Sequence, residues 1–245
     1  MEFKRKITSE MQLWKESLRI KKKALVIKGL RQIGKSYIVN QFAKENYNHV
    51  IKIDFKKESN LKVCFDSDLS IDRLITNISA NKPGALFVPG KTVLIFDEIQ
   101  ECSAARASIK FFMEDGRFDV IATGSLLGIK GYNSKYSGGV SVGFEHTVFM
   151  KAMDFEEFLW ALGISEETID YVKDCYQNKA QVSPAVHQAF TRYFREYICV
   201  GGLPEVVKRF VETKDMNQVR REQRDLLEEY RDDFGKHLDE NEQEK

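Results

Sequence analysis

The stretch "ALVIKGLRQIGKSYIVNQFA" (residues 24–43) decides the fold class of this chain. It begins with an apolar run typical of a buried strand, breaks at Gly29, and resumes with apolar residues at helical spacing after Ser36. Gly29, four intervening residues and the Gly-Lys-Ser triplet at 34–36 fit the phosphate-loop pattern. Because a strand precedes these residues and a helix follows them, they predict a phosphate-binding loop rather than a simple turn.

The loop supplies the candidate nucleotide-binding residues. They are Gly29, Leu30, Arg31, Gln32, Ile33, Gly34, Lys35, Ser36 and Tyr37. In such a loop, backbone N–H groups and the lysine face phosphate groups, and the serine hydroxyl helps to hold Mg²⁺. We therefore expect Lys35 to face phosphate rather than the protein core and to take part in catalysis.

A second motif, "TVLIFDEIQ" (residues 92–100), supplies carboxylates. Its apolar strand delivers Asp97 to a carboxyl end, where Mg²⁺ is expected beside Ser36. Glu98 follows at once and is the candidate general base that polarises an attacking water. That role separates hydrolases from phosphate-loop proteins that transfer phosphate to another substrate. A solvated acidic pair after a strand is the alternative interpretation.

Hydroxyl groups and arginines complete the candidate catalytic set. The strand "DVIATGS" (residues 119–125) places Thr123 and Ser125 at its carboxyl end, where a hydroxyl can hold the water or sense the terminal phosphate. A cap or turn hydroxyl is the alternative interpretation, and Thr123 is the favoured candidate. No arginine occurs from Phe118 to Thr191, although transition-state charge in phosphoryl transfer is often met by an arginine. Outside that span the candidates are Arg31, Arg117, Arg192 and Arg195, and a surface or packing arginine is the alternative interpretation of each.

Hydrophobic patterns predict an α/β core followed by helices. Strands are expected at 24–28, 49–54, 92–97, 120–123 and about 146–150. The glycine-rich segment 124–144 is typical of a mobile loop beside the strand ends. From Asp154 the pattern is helical, with an end signal at residues 201–202 and a last helix from about Met216. We expect a core at 1–152 and a helical region at 153–245.

The last predicted helix carries an apolar stripe with no downstream segment to cover it. The stripe consists of Val219, Leu226, Leu227, Tyr230, Phe234 and Leu238. The helix must either pack back on the helical lid or expose this face. A large apolar stripe exposed to water drives association, so self-association through this helix is expected, and burial of the stripe within the lid is the alternative.

Composition bounds the cellular setting. The 245 residues carry a formal net charge of +1, with basic residues concentrated in 1–23 and acidic ones in 222–245. Solvated helix faces explain most such runs, and nucleic-acid binding by the basic segment is the alternative. The four cysteines form no C-x-x-C pair, and no apolar run has the length of a signal peptide core or a membrane span. These features favour a cytoplasmic protein without a membrane partner.

Five segments in order carry a family resemblance. They are "KGLRQIGKSYIVNQFA" (28–43), "VLIFDEIQECSAARASIKFF" (93–112), "IATGSLLG" (121–128), "DFEEFLWALG" (154–163) and "VGGLPEVV" (200–207). Over nearly its whole length the chain resembles a poorly characterised family of prokaryotic AAA-type ATP-binding proteins. The resemblance implies a P-loop NTPase fold with a five-stranded parallel AAA sheet flanked by helices, an all-helical lid, and a further carboxyl-terminal domain of which only the start is present here.

These observations lead to one hypothesis and two rivals. The first is an ATP- and Mg²⁺-binding AAA-type ATPase with slow hydrolysis, which acts as a nucleotide-gated switch for a missing carboxyl-terminal domain or an unknown protein partner. The first rival is a nucleotide-gated nucleic-acid-binding protein with incidental hydrolysis. The second is a small-molecule kinase, against which the position of Glu98 directly after Asp97 counts.

Overall fold

The structure, a computed structural model, describes residues 3–18, 20–66, 68–125 and 143–242, with side chains through residue 232. The chain divides into two compact units. Lys6–Lys151 form the sheet unit, and Ala152–Lys245 together with Met1–Arg5 form the helical unit. Most of the glycine-rich segment predicted as a mobile loop, residues 126–142, lies outside the described residues. The assignment of functional domains to 1–152 and 153–245 stays a prediction.

The sheet unit contains a five-stranded parallel sheet, as predicted. Its strands are β1 (Ala24–Gly29), β2 (His49–Asp54), β3 (Thr92–Asp97), β4 (Asp119–Ser125) and β5 (Glu145–Phe149). The spatial order is β2-β3-β4-β1-β5, so β1 lies between β4 and β5. Every residue of β3 is buried, because helices cover both faces of a central parallel strand. The order brings the carboxyl ends of β1, β4 and β3 together at one edge.

Helices of the sheet unit connect these strands. They are α1 (Ile7–Ser17), α2 (Lys35–Asn46), α3 (Ile71–Asn81) and α4 (Ser103–Asp115), with short 3₁₀ helices at Ser59–Phe65 and Ile99–Glu101. An aromatic cluster fills the core beneath α3 and α4. Its central ring, Phe96 of β3, lies 5.8 Å from the ring of Phe55, 5.6 Å from Phe65 and 6.1 Å from Phe112. Such tilted and edge-on contacts add to the burial of the rings and hold β3 in place.

Two polar contacts secure the sheet unit away from its core. The Trp14 indole N–H donates to the Lys23 carbonyl oxygen at 2.8 Å, which ties α1 to the start of β1. In addition, Arg106 Nη2 of α4 donates to both carboxylate oxygens of Glu145 in β5, at 2.9 and 3.2 Å. Both of these side chains are largely buried, so the pair is better shielded from solvent than a surface ion pair.

The helical unit confirms the predicted helical region after the sheet. Its helices are α5 (Phe155–Ala161), α6 (Glu166–Gln177), α7 (Pro184–Val200), α8 (Pro204–Thr213) and α9 (Met216–Glu242). Asp154 and Glu157 form a capping box at the start of α5. Glu157 is buried and also pairs with Arg5, whose Nε lies 3.1 Å from Glu157 Oε1. Within the described residues, no helix is long and apolar enough to cross a bilayer.

The apolar stripe of α9 is better covered than the sequence suggests. Val219 is fully buried and Leu226 is 6% exposed, and both pack in a cluster that includes Phe158 and Phe210. Leu227 lies on the outside and is 59% exposed, while Tyr230 is half-buried. The side chains of Phe234 and Leu238, which complete the predicted stripe, lie outside the described residues. Val219 and Leu226 are thus covered by α8, which precedes α9 in the chain. Self-association through this helix stays a prediction.

Candidate functional site

The phosphate-loop pattern folds as a tight turn between β1 and α2. Gly29 closes β1, where an added Cβ would lie 2.4 Å from the Met150 carbonyl oxygen and 2.5 Å from Ile33 Cδ1. Only glycine fits such a close approach. Gly34 precedes α2 with a φ of 86°, in the left-handed region that favours glycine. Both glycines of the motif are thus required by backbone geometry, and the loop ends at the amino terminus of a helix, where backbone N–H groups favour anions.

The other predicted binding residues differ in what they offer. Leu30 and Tyr37 are 46% and 48% exposed, so their side chains are accessible to a ligand. Gln32, also exposed, has a φ of 59°, a conformation uncommon for residues other than glycine. The side chain of Ile33, by contrast, is fully buried. Ile33 can therefore contact a nucleotide through its backbone but not through its side chain.

Lys35 is the least exposed polar group of the loop. Only 6% of the residue is exposed, and its ammonium group donates to the carbonyl oxygens of Gly29 at 3.1 Å and Leu30 at 2.6 Å. Burial lowers the pKa of this ammonium, the carboxylates at positions 97 and 98 oppose the shift, and Arg31 adds to it. The lysine therefore lies inside the curl of the loop, with its charge incompletely solvated and available to an anion that binds there.

Asp97 lies at the centre of the site. Its Oδ1 accepts hydrogen bonds from the Ser36 hydroxyl, at 2.9 Å, and from the Thr123 hydroxyl. Its Oδ2 lies 2.8 Å from Lys52 Nζ. Burial by itself raises the pKa of Asp97, but these hydrogen bonds and the positive charge of Lys52 outweigh burial and hold the pKa below its ordinary value. The carboxylate is consequently ionised, with donors from three different elements around it.

Glu98 follows Asp97 in an unusual backbone conformation. Its φ of 52° and ψ of 50° lie in the left-handed region, which is uncommon for a residue with a side chain. Its carboxylate Oε2 accepts a hydrogen bond from the side-chain amide of Gln100. Among the described residues, the other amide atom, Gln100 Oε1, is buried and has no hydrogen-bond partner. The candidate base is therefore held by a neighbour two positions along the chain.

Sheet register places the remaining hydroxyls. Ser125 pairs in register with Gly29, so the end of β4 lies beside the start of the phosphate loop. Thr123 is fully buried and bonded to Asp97, while Ser125 is 1% exposed. The structure thus brings Ser36, Asp97 and Thr123 into direct contact, and it places Ser125 next to the start of the phosphate loop.

The donor set at Asp97 suits a small divalent cation. A serine hydroxyl and an aspartate carboxylate are oxygen ligands of the kind that Mg²⁺ prefers. The lysine ammonium that already lies against Asp97 Oδ2 shows that this position accepts a positive charge. Ser36 and Asp97 are therefore the residues that would hold the metal, and their role as its ligands stays a prediction.

Two residues of the site were missed by the sequence patterns. Lys52 of β2 contacts Asp97, and Gln100 contacts Glu98. A signal existed for Lys52, since it interrupts an apolar strand that runs beside β3 in the sheet. Recognising it requires the pairing of β2 with β3, in which Lys52 lies level with Ile95, two residues before Asp97.

Comparisons with known proteins agree with the fold. The family model of the AAA domain matches residues 21–159, more than half of the 245-residue chain. Among solved structures, the chain is similar to a Walker-type ATPase of Pyrococcus abyssi, with a TM-score of 0.53 and 15% identity over 97% of this chain and 75% of that chain. That likeness shows a shared fold. No curated protein matches the chain.

Two further solved structures are similar over much of the chain. AMPPCP-bound DnaA of Aquifex aeolicus gives a TM-score of 0.49 and 11% identity, over 90% of this chain and 66% of that chain. A signal transduction ATPase with a tetratricopeptide repeat sensor from Pyrococcus horikoshii gives a TM-score of 0.43 and 17% identity, over 88% of this chain and 31% of that chain.

Proposed function

The chain belongs to the AAA domain family, and from this premise we propose that it binds ATP with Mg²⁺ and hydrolyses it slowly, as a nucleotide-gated switch. The observation that carries the proposal is the position of Asp97. This carboxylate joins the phosphate loop, through Ser36, to the end of β4, through Thr123. A loop that favours anions and a carboxylate that favours cations thereby lie side by side, as a metal–nucleotide complex requires.

Each residue has a proposed role in this site. Lys35 and the backbone of residues 29–36 bind the phosphates. Ser36 and Asp97 hold Mg²⁺, which when bound neutralises charge on the phosphate oxygens. Glu98 accepts a proton from the attacking water, and Gln100 orients its carboxylate. Thr123, whose hydroxyl donates to Asp97, or Ser125 positions that water.

The proposal of slow turnover rests on a long segment of the sequence that contains no arginine. The sequence has no arginine from Phe118 to Thr191. Stabilisation of transition-state charge by an arginine accelerates phosphoryl transfer by about 10³–10⁵-fold. With no arginine from that span to reach the transferred phosphate, the protein turns over slowly. Such behaviour suits a cytoplasmic switch that acts on a partner or on a further domain.

Nucleotide binding and phosphate release by the purified chain test this proposal. Calorimetry with ATP and Mg²⁺ should show binding at one site, and phosphate release should be slow but should depend on Glu98. DNA affinity measured at low and high salt tests the nucleic-acid-binding alternative, because affinity for phosphate backbones falls steeply as the salt concentration rises. Turnover that starts only with DNA would favour that alternative, and absence of ATP binding would contradict the proposal.

A further inference from the structure

A lysine lies on the carboxylate where the metal is expected. Lys52 Nζ lies 2.8 Å from Asp97 Oδ2, and the Asp97 side chain is only 3% exposed. The lysine comes from β2 and the carboxylate from β3, two neighbouring strands with fixed register. The contact is therefore set by the sheet and not by a flexible loop.

Charge balance explains why this lysine is present. A buried carboxylate is costly unless a positive charge accompanies it. Ser36 and Thr123 donate hydrogen bonds to Asp97 but carry no charge. The ammonium group of Lys35 donates instead to two carbonyl oxygens of the phosphate loop. Among the described residues that hydrogen-bond or pair with Asp97, Lys52 alone carries a full positive charge.

We propose that Lys52 is an internal counter-cation of Asp97, which a divalent metal must displace or share when nucleotide binds. This inference rests on the proposed ATP and Mg²⁺ site. A metal ion beside Ser36 and Asp97 would bring a second cation to the same carboxylate, and like charges at close range repel. Lys52 therefore weakens the contribution of the metal to nucleotide binding, while it stabilises the site when no metal is bound.

The side chain of Lys52 has room to move aside. It is 32% exposed, in contrast to the buried carboxylate that it contacts. A lysine carries its charge on a flexible four-carbon stem and remains well solvated outside a contact. Displacement thus requires rotation of one side chain and leaves β2 in place.

Calorimetry of ADP binding, once with excess Mg²⁺ and once with EDTA, tests the inference without any turnover. The quantity compared is the ratio of the dissociation constant in EDTA to that in Mg²⁺. Lys52→Met should raise this ratio about tenfold, because the metal then meets an unopposed carboxylate. Lys52→Gln, which keeps a hydrogen-bond donor but no charge, should raise it similarly and serves if the methionine variant folds poorly.

Matched variants make the test specific. Lys52→Arg keeps the charge and should keep the parent ratio. Lys57→Met removes an exposed lysine that lies 3.8 Å from Asp54, and it should also leave the ratio unchanged. An unchanged ratio in both neutral variants of Lys52, or an equal loss of ADP affinity in both conditions, would overturn the inference. A parent chain that binds ADP in neither condition would contradict the proposed function itself.

Discussion

The hydroxyl of Ser36 donates a hydrogen bond of 2.9 Å to Asp97 Oδ1, across 61 positions of sequence. Ser36 belongs to the first turn of α2 and Asp97 to the end of β3. The contact joins the two motifs that separately indicate phosphate and metal binding. It also brings the loop lysine and the candidate base Glu98 to the same edge of the sheet.

Replacement of Lys35 separates binding from folding. Lys35→Met should abolish ATP binding, because the variant lacks the charged group that the carbonyl oxygens of Gly29 and Leu30 hold inside the loop. Burial lowers the pKa of Lys35, so the folded chain disfavours the charged form. The thermal midpoint without nucleotide should therefore not fall. Calorimetry and thermal unfolding measure the two effects, and parent-like ATP affinity would refute the role of the loop.

Gln100 should matter for turnover and not for binding. Its side-chain amide holds the Glu98 carboxylate, which lies on a backbone in the left-handed region. Gln100→Leu should lower kcat about tenfold through loss of orientation, and it should leave the ADP dissociation constant unchanged. Steady-state phosphate release and calorimetry measure these quantities. Equal kcat in the variant and the parent would show that Gln100 does not position the base.

Tyr47 should make stability depend on alkaline pH. Its hydroxyl donates to Asp119 Oδ2 at 2.8 Å, and burial together with the charge of Asp119 raises its pKa. Below pH about 10 the hydroxyl is protonated in both folded and unfolded chains, so its contribution is constant. Above that pH the unfolded chain binds fewer protons than the folded one, and stability falls as pH rises.

Tyr47→Phe removes this titration. The variant should lose about 1–3 kcal/mol at neutral pH, through the lost bond to a charged acceptor, and its deficit relative to the parent should shrink above pH about 10. Urea unfolding across this pH range is the measurement. Tyr176→Phe, at an 86% exposed position, is the control and should follow the parent. A deficit that stays constant into the alkaline range would contradict the assignment.

Packing of α9 on α8 gives a test within one helix. Val219 is fully buried, and Val219→Ala should lower the free energy of unfolding by about 1–3 kcal/mol through the cavity that it leaves. Leu227→Ala, at a 59% exposed position of the same helix, should change it by less than about 0.5 kcal/mol. Urea unfolding compares the two. Similar losses of unfolding free energy in both variants would show that α9 does not pack as described. A chain that ends near Thr213 lacks α9, so its helical unit should be less stable.

Much of the sheet and half of the site could be predicted from local patterns. The phosphate loop and the strand that ends at Asp97 can each be predicted from a few consecutive residues. Their proximity follows from the parallel sheet, in which the carboxyl ends of the strands lie at the same edge. Strand bounds for β2 and β3 agree with the expected ones, and β4 is longer at both ends. Lys52 could not be identified in this way, because its role depends on which strand lies beside β3.

Side-chain direction limited the other predictions. Ile33 lies within the loop motif, yet its side chain enters the core beneath Gly29, which no spacing rule indicates. Gln100 was visible in the sequence, but its contact with Glu98 depends on the turn that follows β3. The periodicity of the sequence predicts the apolar stripe of α9. The burial of Val219 depends in addition on the packing of α8 against α9, which periodicity does not indicate.

Single-turnover hydrolysis by Glu98→Gln, with ATP binding measured on the same sample, tests the central claim most directly. The substitution keeps the shape of the side chain and removes the base. The account predicts that ATP and Mg²⁺ bind with parent affinity while phosphate release slows about 100-fold or more. Hydrolysis at the parent rate with intact binding would contradict the account, because the carboxylate after Asp97 would then have no part in the chemistry.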